Sequence, residues 1–497
     1  MRTQSLSLYL GLLIAGALFP LSLAPFYLWP MAILTMAVLF FSLYQQPAQQ
    51  AFKRSAVFGL GMFGTGVSWV FVSMYAYGGI SAALAVVGTF LFCLLNTVVF
   101  ALPFMLCAFI PKRYSLWLLA LPSIWVLSEW CRSWIFTGFP WLYAGYSHTD
   151  SWLSGWAPIG GVLLLSFFTA LAATALAQVR LHKSSSISAT VFSMVTVLFL
   201  SGLALQKVNW TQPVEQPVSV AMVQPNVDQG DKWSPAMRSQ IMQNLVTQTE
   251  PYWGADIIVW PEGAIPALYT QVTDFINTMH QRAMIHQTAL ITGLPSNTNP
   301  QGPYYNSMLA LGAGNGTYNK TRLVPFGEYV PFEKLIRGLN NFFDLPMSSF
   351  SLGDKYQQPL TAAGASISTA ICYEIAYPDL VARNTRNTNI LLTVSNDAWF
   401  GNSIAPFQHM QMARMRAIEN AKPVLRGTNN GITALIDHRG NTLNQLDQFT
   451  QGVLVETVSP YTGETPFAKW ASWPVVIFSL LVAAMLIANQ LRKNIRR

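Results

Sequence analysis

Eight long apolar runs, at about 7–24, 27–44, 55–74, 83–110, 115–131, 158–180, 189–206 and 471–491, bracket a polar stretch between about residues 207 and 469. Each run is close to the roughly 20 residues a helix needs to cross the hydrocarbon core of a bilayer. Seven precede the polar stretch and one follows it. The pattern predicts a polytopic α-helical membrane domain of eight transmembrane helices carrying a separate water-facing domain. The overall balance agrees, with 52% apolar and only 10% charged residues, the proportions of a membrane protein.

Alternating eight spans puts Arg2, Lys53, Arg54, Lys112, Arg113, Arg180, Lys183, Arg492, Lys493, Arg496 and Arg497 on one side, with no acidic residue among them. By the positive-inside rule that side is cytoplasmic, both termini are inside, and the polar stretch lies outside the cytoplasm. These basic residues outnumber the net charge of +8, so the basic balance reflects topology and gives no support to nucleic-acid binding. The domains expected are a transmembrane domain at 1–210, a catalytic domain at 217–458, and an eighth helix with a basic tail at 470–497. The first run follows Arg2 as a signal peptide would. A second run follows at once, so an uncleaved helix is expected.

Within the polar stretch, strand-like segments (Val218–Gln224, Asp256–Trp260, Ala289–Thr292, Ser307–Leu311, Ile367–Cys372, Ile390–Ser395, Gly431–Ile436) alternate with helical ones at roughly 235–249, 270–286, 376–386 and 407–421. That alternation argues for a layered α/β domain. Cys93, Cys107 and Cys131 lie in apolar spans and read as small packing residues. Cys372 is the only cysteine of the extracytoplasmic stretch. An oxidising compartment uses cysteines in pairs, so a lone one there reads as a kept thiol.

Three short polar motifs supply a base, a cation and a thiol in chain order: Trp-Pro-Glu at Glu262, Asn-Lys-Thr-Arg at Lys320 and Ile-Cys-Tyr-Glu at Cys372. A thiol that attacks an acyl carbonyl needs a proton acceptor, an oxyanion stabiliser and a positioned substrate. Glu262 suits the first task if burial beside Trp260 and Pro261 raises its pKa. Lys320 suits the second and would favour the thiolate, with the Tyr373 N–H as a further donor. A histidine base is the competitor, but His280, His286, His409 and His438 sit in no comparably distinctive setting. Taken singly, Glu262 reads equally as a helix cap, Lys320 as a surface lysine and Cys372 as a core residue. Together they point to chemistry.

The segments WPEGAIP, YNKTRLVPFGEYVP and AICYEIAYPD resemble the nitrilase superfamily, whose Glu-Lys-Cys triad has this order. With the eight-helix frame, and with GVSWVFVSMY at 66–75, TGFPWLYAGYS at 137–147, SNDAWFG at 395–401 and QHMQMARMRAIEN at 408–420, most of the chain is similar to one branch, the apolipoprotein N-acyltransferases. The resemblance implies an α-β-β-α sandwich, with Glu262 as general base, Lys320 as oxyanion and thiolate stabiliser and Cys372 as nucleophile. It also implies that Glu328 positions the lysine and the acyl carbonyl, that Tyr373 and Glu374 shape the pocket, and that Trp233 sits on a mobile loop over it. The implied setting is a bacterial inner membrane with the catalytic domain in the periplasm. The implied donor is a phospholipid, typically phosphatidylethanolamine, and the implied acceptor a diacylglyceryl-apolipoprotein. The implied ping-pong reaction runs through a Cys372 thioester with no metal and no cofactor. The alternatives are a membrane-anchored nitrilase-type amidase, for which eight helices are excessive, and a non-catalytic scaffold, which the intact trio argues against.

Other features are less specific. Phe342, Phe343, Leu345, Met347 and Phe350 suit either a loop dipping into the bilayer interface or an ordinary core-facing loop. Glu129 and Arg132 are costly in a span and are expected to pair with each other or to meet a head group. The aromatic segment 134–146 reads as an interface anchor. Gly59-Leu-Gly-Met-Phe-Gly64 has dinucleotide-loop spacing, but inside an apolar span it reads as helix packing.

Overall fold

All eight apolar runs are helical in the computed structural model of the chain, which describes residues 2–111, 114–182, 185–297, 302–329 and 350–495. The expected interfacial residues Phe342, Phe343, Leu345 and Met347 lie outside the described residues. The helices are α1 (Arg2–Leu18), α2 (Pro30–Leu43), α3 (Ala48–Gly66), α4 (Ala82–Ala101), α5 (Tyr114–Cys131), α6 (Ala157–His182) and α7 (Ser185–Leu205), with Trp473–Ile495 near the C-terminus. Among the described residues four segments are long and apolar enough to cross a membrane: Ala82–Phe109, Trp152–Leu181, Ser188–Leu205 and Trp473–Arg492. A fifth would be Ala48–Gly66 with Val70–Tyr77, a pair bent by 55°. Leu6–Ser22, Pro30–Leu43 and Leu116–Cys131 are shorter apolar helices.

These helices form one unit, Met1–Phe71, Ser81–Val208 and Trp470–Arg497. Its packing explains Gly61 of α3. A methyl group on Gly61 would sit 2.2 Å from the Leu13 carbonyl oxygen of α1, so the two backbones touch where no side chain fits. Glu129 and Arg132 of α5 are both buried and find protein partners. Glu129 accepts from Trp125 Nε1 and from the Ala144 N–H, each at 2.7 Å. Arg132 donates to the Trp141 carbonyl at 2.6 Å and lies over the Phe63 and Tyr143 rings. The segment 134–146 is split rather than uniformly an interface anchor. Trp134 and Phe136 are exposed, whereas Trp141, Tyr143 and Tyr146 are core residues: the Trp141 carbonyl accepts from Arg132, the Tyr143 hydroxyl donates to the Glu129 carbonyl, and Tyr146 stacks on Tyr143.

The second unit comprises Asn209–Lys469 and the short segment Val72–Ile80. Its strands are β1 (Val218–Gln224), β2 (Ile257–Val259), β3 (Ala289–Asn297), β4 (Tyr304–Gly312), β5 (Thr317–Asn319), β6 (Leu360–Ala362), β7 (Ala365–Ile371), β8 (Ile390–Ser395), β9 (Val424–Thr428), β10 (Ala434–Ile436), β11 (Thr442–Gln445) and β12 (Gly452–Val458). They form two six-stranded sheets, ordered β12-β1-β2-β3-β4-β5 and β11-β10-β9-β8-β7-β6. The centre of each is parallel, β1-β2-β3 in one and β7-β8-β9 in the other, with antiparallel strands outside.

Alternating side chains divide each strand between two faces. Val218, Val220 and Met222 of β1, Ile257 and Val259 of β2, and Ala289 and Ile291 of β3 share one core with Ile367, Ile371, Ile390, Leu392, Val394 and Leu425 of the other sheet. Each large apolar side chain fully buried there contributes about 1.5–3 kcal/mol. The intervening Ala221, Val223, Ile258 and Leu290 instead face helices, packing on Leu245 of α8 (Arg238–Thr249) and on Ile276, Met279 and Ala283 of α9 (Thr273–Ile285). The spacing of three and four residues puts those α9 positions on one stripe. Behind the second sheet lie α10 (Pro378–Asn384) and α11 (Ala405–Asn420), the latter buried along almost its whole length. The layers therefore run helix, sheet, sheet, helix.

Candidate active site

The residues singled out from sequence sit at strand ends of this second unit. Parallel strands leave their carboxyl ends free of direct hairpin connections, and polar groups gather there. Glu262 follows β2, Lys320 follows β5, and Cys372 follows β7. Cys372 has φ +51°. That left-handed conformation costs a non-glycine residue about 1–3 kcal/mol and is kept only where neighbours enforce it. It turns the chain sharply from strand into the single helical turn Cys372–Ala376.

Lys320 and Glu262 are buried, and Glu328 is nearly so. Lys320 Nζ donates to Glu328 Oε1 at 2.9 Å and to Glu262 Oε1 at 3.3 Å. Asn306 of β4 bridges the same two carboxylates, donating at 2.7 Å to Glu262 and 2.8 Å to Glu328. The Asn396 N–H holds Glu262 Oε2 at 2.9 Å, and the Val324 N–H holds Glu328 Oε2 at 2.8 Å. On the opposite side, buried Lys232 donates to the main-chain oxygen of Glu262 at 3.0 Å. Lys320 thus faces two carboxylates and Lys232 a main-chain oxygen, an arrangement that lets charge be buried because each charged group has a hydrogen-bond partner.

The electrostatics differ from the sequence expectation for the base. Burial pushes the Glu262 carboxyl up, but Lys320, Asn306, Lys232 and the Asn396 N–H together hold it below its ordinary value. Glu262 is therefore ionised at neutral pH, where the sequence led us to expect a raised pKa. For Lys320, burial would favour the neutral form, and Glu262 and Glu328 outweigh it, keeping the ammonium charged. The Cys372 thiol is pushed well up by burial and by Glu262, against the smaller opposing effect of Lys320. The resting pair is carboxylate and thiol, so Lys320 does not by itself produce a standing thiolate. Lys232 is lowered by burial to about 8, opposed by Glu262 and Cys372.

Glu374, two residues beyond the cysteine, does not line the pocket as a free carboxylate. It is fully buried and accepts from the N–H and hydroxyl of Thr321, each at 2.7 Å, from the Arg322 N–H at 3.2 Å, from the Tyr318 hydroxyl at 3.1 Å and from the Ile371 N–H at 2.8 Å. It ties the lysine segment to the cysteine turn. Burial nevertheless raises its pKa against those donors. Tyr373 lies edge-on to Tyr377 at 5.2 Å, and Arg322 covers the Tyr377 ring. The Trp233 ring lies 3.7 Å from where a side chain on Gly263, next to Glu262, would begin.

Sequence reasoning missed Lys232, Asn306 and His409. Asn306 and Lys232 carry no motif signal of their own, although Lys232 immediately precedes Trp233. His409, set aside as undistinguished, is buried, 3.1 Å from the Cys372 carbonyl oxygen and 3.1 Å from Asp397. Its signal was available in the pairing of SNDAWFG with QHMQMARMRAIEN. All four cysteines are unpaired. Among the described residues no group of three His, Cys, Asp or Glu side chains is arranged to hold a metal ion.

The comparisons with known proteins cover both units. The family described as apolipoprotein N-acyltransferase N-terminal domain matches residues 15–175, and that described as carbon-nitrogen hydrolase matches residues 219–467. The apolipoprotein N-acyltransferase of Pseudomonas syringae pv. tomato is 42% identical over 492 residues, 97% of this chain and 97% of that protein. The enzyme of the same name from Vibrio cholerae is 40% identical over 466 residues, covering 90% of this chain and 91% of its own. A CN-hydrolase superfamily protein from Xanthomonas campestris aligns in structure with 49% of this chain and 91% of its own at 18% identity and a TM-score of 0.38. With full-length relatives at this identity and both parts matched, the chain belongs to the apolipoprotein N-acyltransferase family.

Proposed function

We propose that this acyltransferase moves the sn-1 acyl chain of a phospholipid, phosphatidylethanolamine being the expected donor, onto the N-terminal amine of the diacylglyceryl-cysteine of apolipoproteins, through a thioester on Cys372. The observation that carries the reading is the closed charge cluster of Glu262, Lys320, Glu328 and Asn306 beside a cysteine held at φ +51°.

In the first half-reaction Sγ attacks the ester carbonyl while its proton passes to Glu262. Because the thiol is pushed up and the carboxylate held down, proton transfer accompanies carbon–sulfur bond formation rather than preceding it. Negative charge grows on the carbonyl oxygen, where the Lys320 ammonium and the Tyr373 N–H would receive it. Collapse of that intermediate breaks the ester bond, and Glu262 returns the proton to the departing lysophospholipid. In the second half the α-amine attacks the thioester, Glu262 takes the amine's proton, and Cys372 leaves as thiol. Glu328 and Asn306 keep Lys320 in place throughout. Trp233 and Tyr373 would bound the acyl chain.

Both substrates keep their acyl chains in a bilayer, which gives the apolar helices a mechanical purpose. In our reading all eight cross the inner membrane, both termini are cytoplasmic, and the catalytic part at about 217–458 is periplasmic. The test is turnover of labelled phospholipid with a diacylglyceryl-cysteine lipopeptide. The expected products are N-acylated peptide and lysophospholipid in equal amounts. Free fatty acid without acylated peptide, or turnover of soluble amides alone, would sink the reading in favour of a hydrolase.

A further inference from the structure

The Cys372 carbonyl is held by a set of side chains that the acyl-transfer steps above do not use. The Ser395 hydroxyl donates to Asp397 Oδ1 at 2.5 Å. His409 of α11 meets the same Asp397 oxygen through Nδ1 at 3.1 Å, and its Nε2 lies 3.1 Å from the Cys372 carbonyl oxygen. Arg426 of β9 donates to the other Asp397 oxygen at 2.6 Å and approaches His409 Nδ1 at 3.3 Å. Ser395, Asp397, His409 and Arg426 are each at most 2% exposed.

Hydrogen-bond logic assigns the ring proton. A carbonyl oxygen only accepts, so Nε2 facing it carries the hydrogen. Nδ1 then has two allowed states. Protonated, it donates to Asp397; unprotonated, it accepts from Arg426. Both leave the Nε2 proton in place, so this nitrogen has no lone pair to take the thiol proton. His409 is committed to the backbone of the nucleophile, and the base remains Glu262.

We propose that Ser395, Asp397, His409 and Arg426 form a hydrogen-bond ring that holds the carbonyl of Cys372 through His409 Nε2 and so enforces the left-handed turn that aims the sulfur. The ring supplies the enforcement that φ +51° requires. Its members come from β8, the turn after it, α11 and β9, so the strain is spread over rigid elements rather than a loop. His409 is a positioning residue on this account, acting through the Cys372 backbone.

The inference rests on Cys372 being the acylated residue, which Cys372→Ala tests separately. Single-turnover acylation by phospholipid is to be compared for wild type, His409→Phe and His409→Gln. Phenylalanine keeps the ring volume without the donor, and glutamine restores an N–H near the Nε2 position. The expected result is a fall of about 10–100-fold in the acylation rate for His409→Phe, with KM for phospholipid within about twofold, and recovery to within about fivefold for His409→Gln. Equal loss in both variants, or wild-type rates in His409→Phe, overturns the ring. Should His409→Phe not fold, Ser395→Ala decides. Its single-turnover acylation is then expected to slow about 3–10-fold, and an unchanged rate overturns the proposal. Acylation surviving Cys372→Ala would instead defeat the thioester reading and leave the ring without a role.

Discussion

Glu262 is held through all three of its oxygens, by Lys320 and Asn306 on Oε1, Asn396 on Oε2 and Lys232 on the main-chain carbonyl. That enclosure sets its charge, and it makes Lys232 testable. A cation beside a carboxylate favours the ionised form and lowers its pKa, so removing the cation raises it. In Lys232→Met the acid limb of the acylation pH profile is expected to move up. The profile is measured without acceptor, so that the amine's own titration does not intrude. An unmoved limb would show that Lys232 serves packing only. Asp397 gives a second residue-scale prediction. Burial pushes its carboxyl up, but Arg426 and His409 hold it well below the ordinary 3.8. A depressed folded pKa contributes stability that is present above the unfolded value and lost as pH falls through the folded one. The Tm difference between wild type and Asp397→Asn is therefore expected to be full above about pH 4 and to narrow below it. A difference independent of pH would contradict the assignment. At this scale the motif residues Glu262, Lys320 and Cys372 were legible because each stands in a run of specific neighbours. The sign of the Glu262 shift was not, since it depends on Asn306, Lys232 and Asn396, which approach from distant parts of the chain.

The elements place these side chains by close backbone contact. Gly293 of β3 packs against the turn that carries Glu262, where a methyl group would lie 2.6 Å from the Pro261 carbonyl oxygen and 2.9 Å from the Glu262 Cα. Those neighbours are backbone and cannot swing aside. Gly293→Ala is expected to push Glu262 away from Lys320, lowering acylation on the order of 100-fold while costing about 1–3 kcal/mol of stability. Near-normal kinetics in a folded Gly293→Ala protein would show that the turn has slack. Element boundaries followed the pattern where apolar residues ran unbroken, as in Val218–Gln224 and Ile390–Ser395, which fold over those same residues. The β9 strand Val424–Thr428 escaped notice because Arg426 interrupts it with a charge. That charge is tolerated because Asp397 meets it inside the protein. The β12 strand Gly452–Val458 was missed because it mixes Glu456 and Thr457 into a half-exposed edge. Such edges carry a weak periodic signal.

The whole molecule joins an apolar helical part to an α/β part, and its proposed reaction needs both. If the second unit faces the periplasm, cysteines introduced at exposed sites there, such as Lys355 or Arg439, should react with impermeant maleimide in intact spheroplasts, whereas one at Arg54 should react only after lysis. Labelling of Arg54→Cys from outside would reverse the topology. For the segment outside the described residues, replacing Phe342 and Phe343 with Ser is expected to reduce turnover of bilayer phospholipid more than that of short-chain esters, and equal losses would mark the pair as ordinary core. The division into parts was readable because hydrophobic run length reports on solvent directly. The run at about 55–74 was read as one span, and the 55° bend between Ala48–Gly66 and Val70–Tyr77 leaves no mark in composition. The central claim is that Cys372 carries the acyl chain between two lipid substrates. Its most direct test is mass spectrometry of the full-length protein after incubation with isotope-labelled phospholipid and no acceptor. The account predicts one labelled acyl group on the peptide containing Cys372, released by hydroxylamine, discharged by added lipopeptide and absent in Cys372→Ala. Label on any other residue, or turnover with no trappable acyl-enzyme, would contradict it.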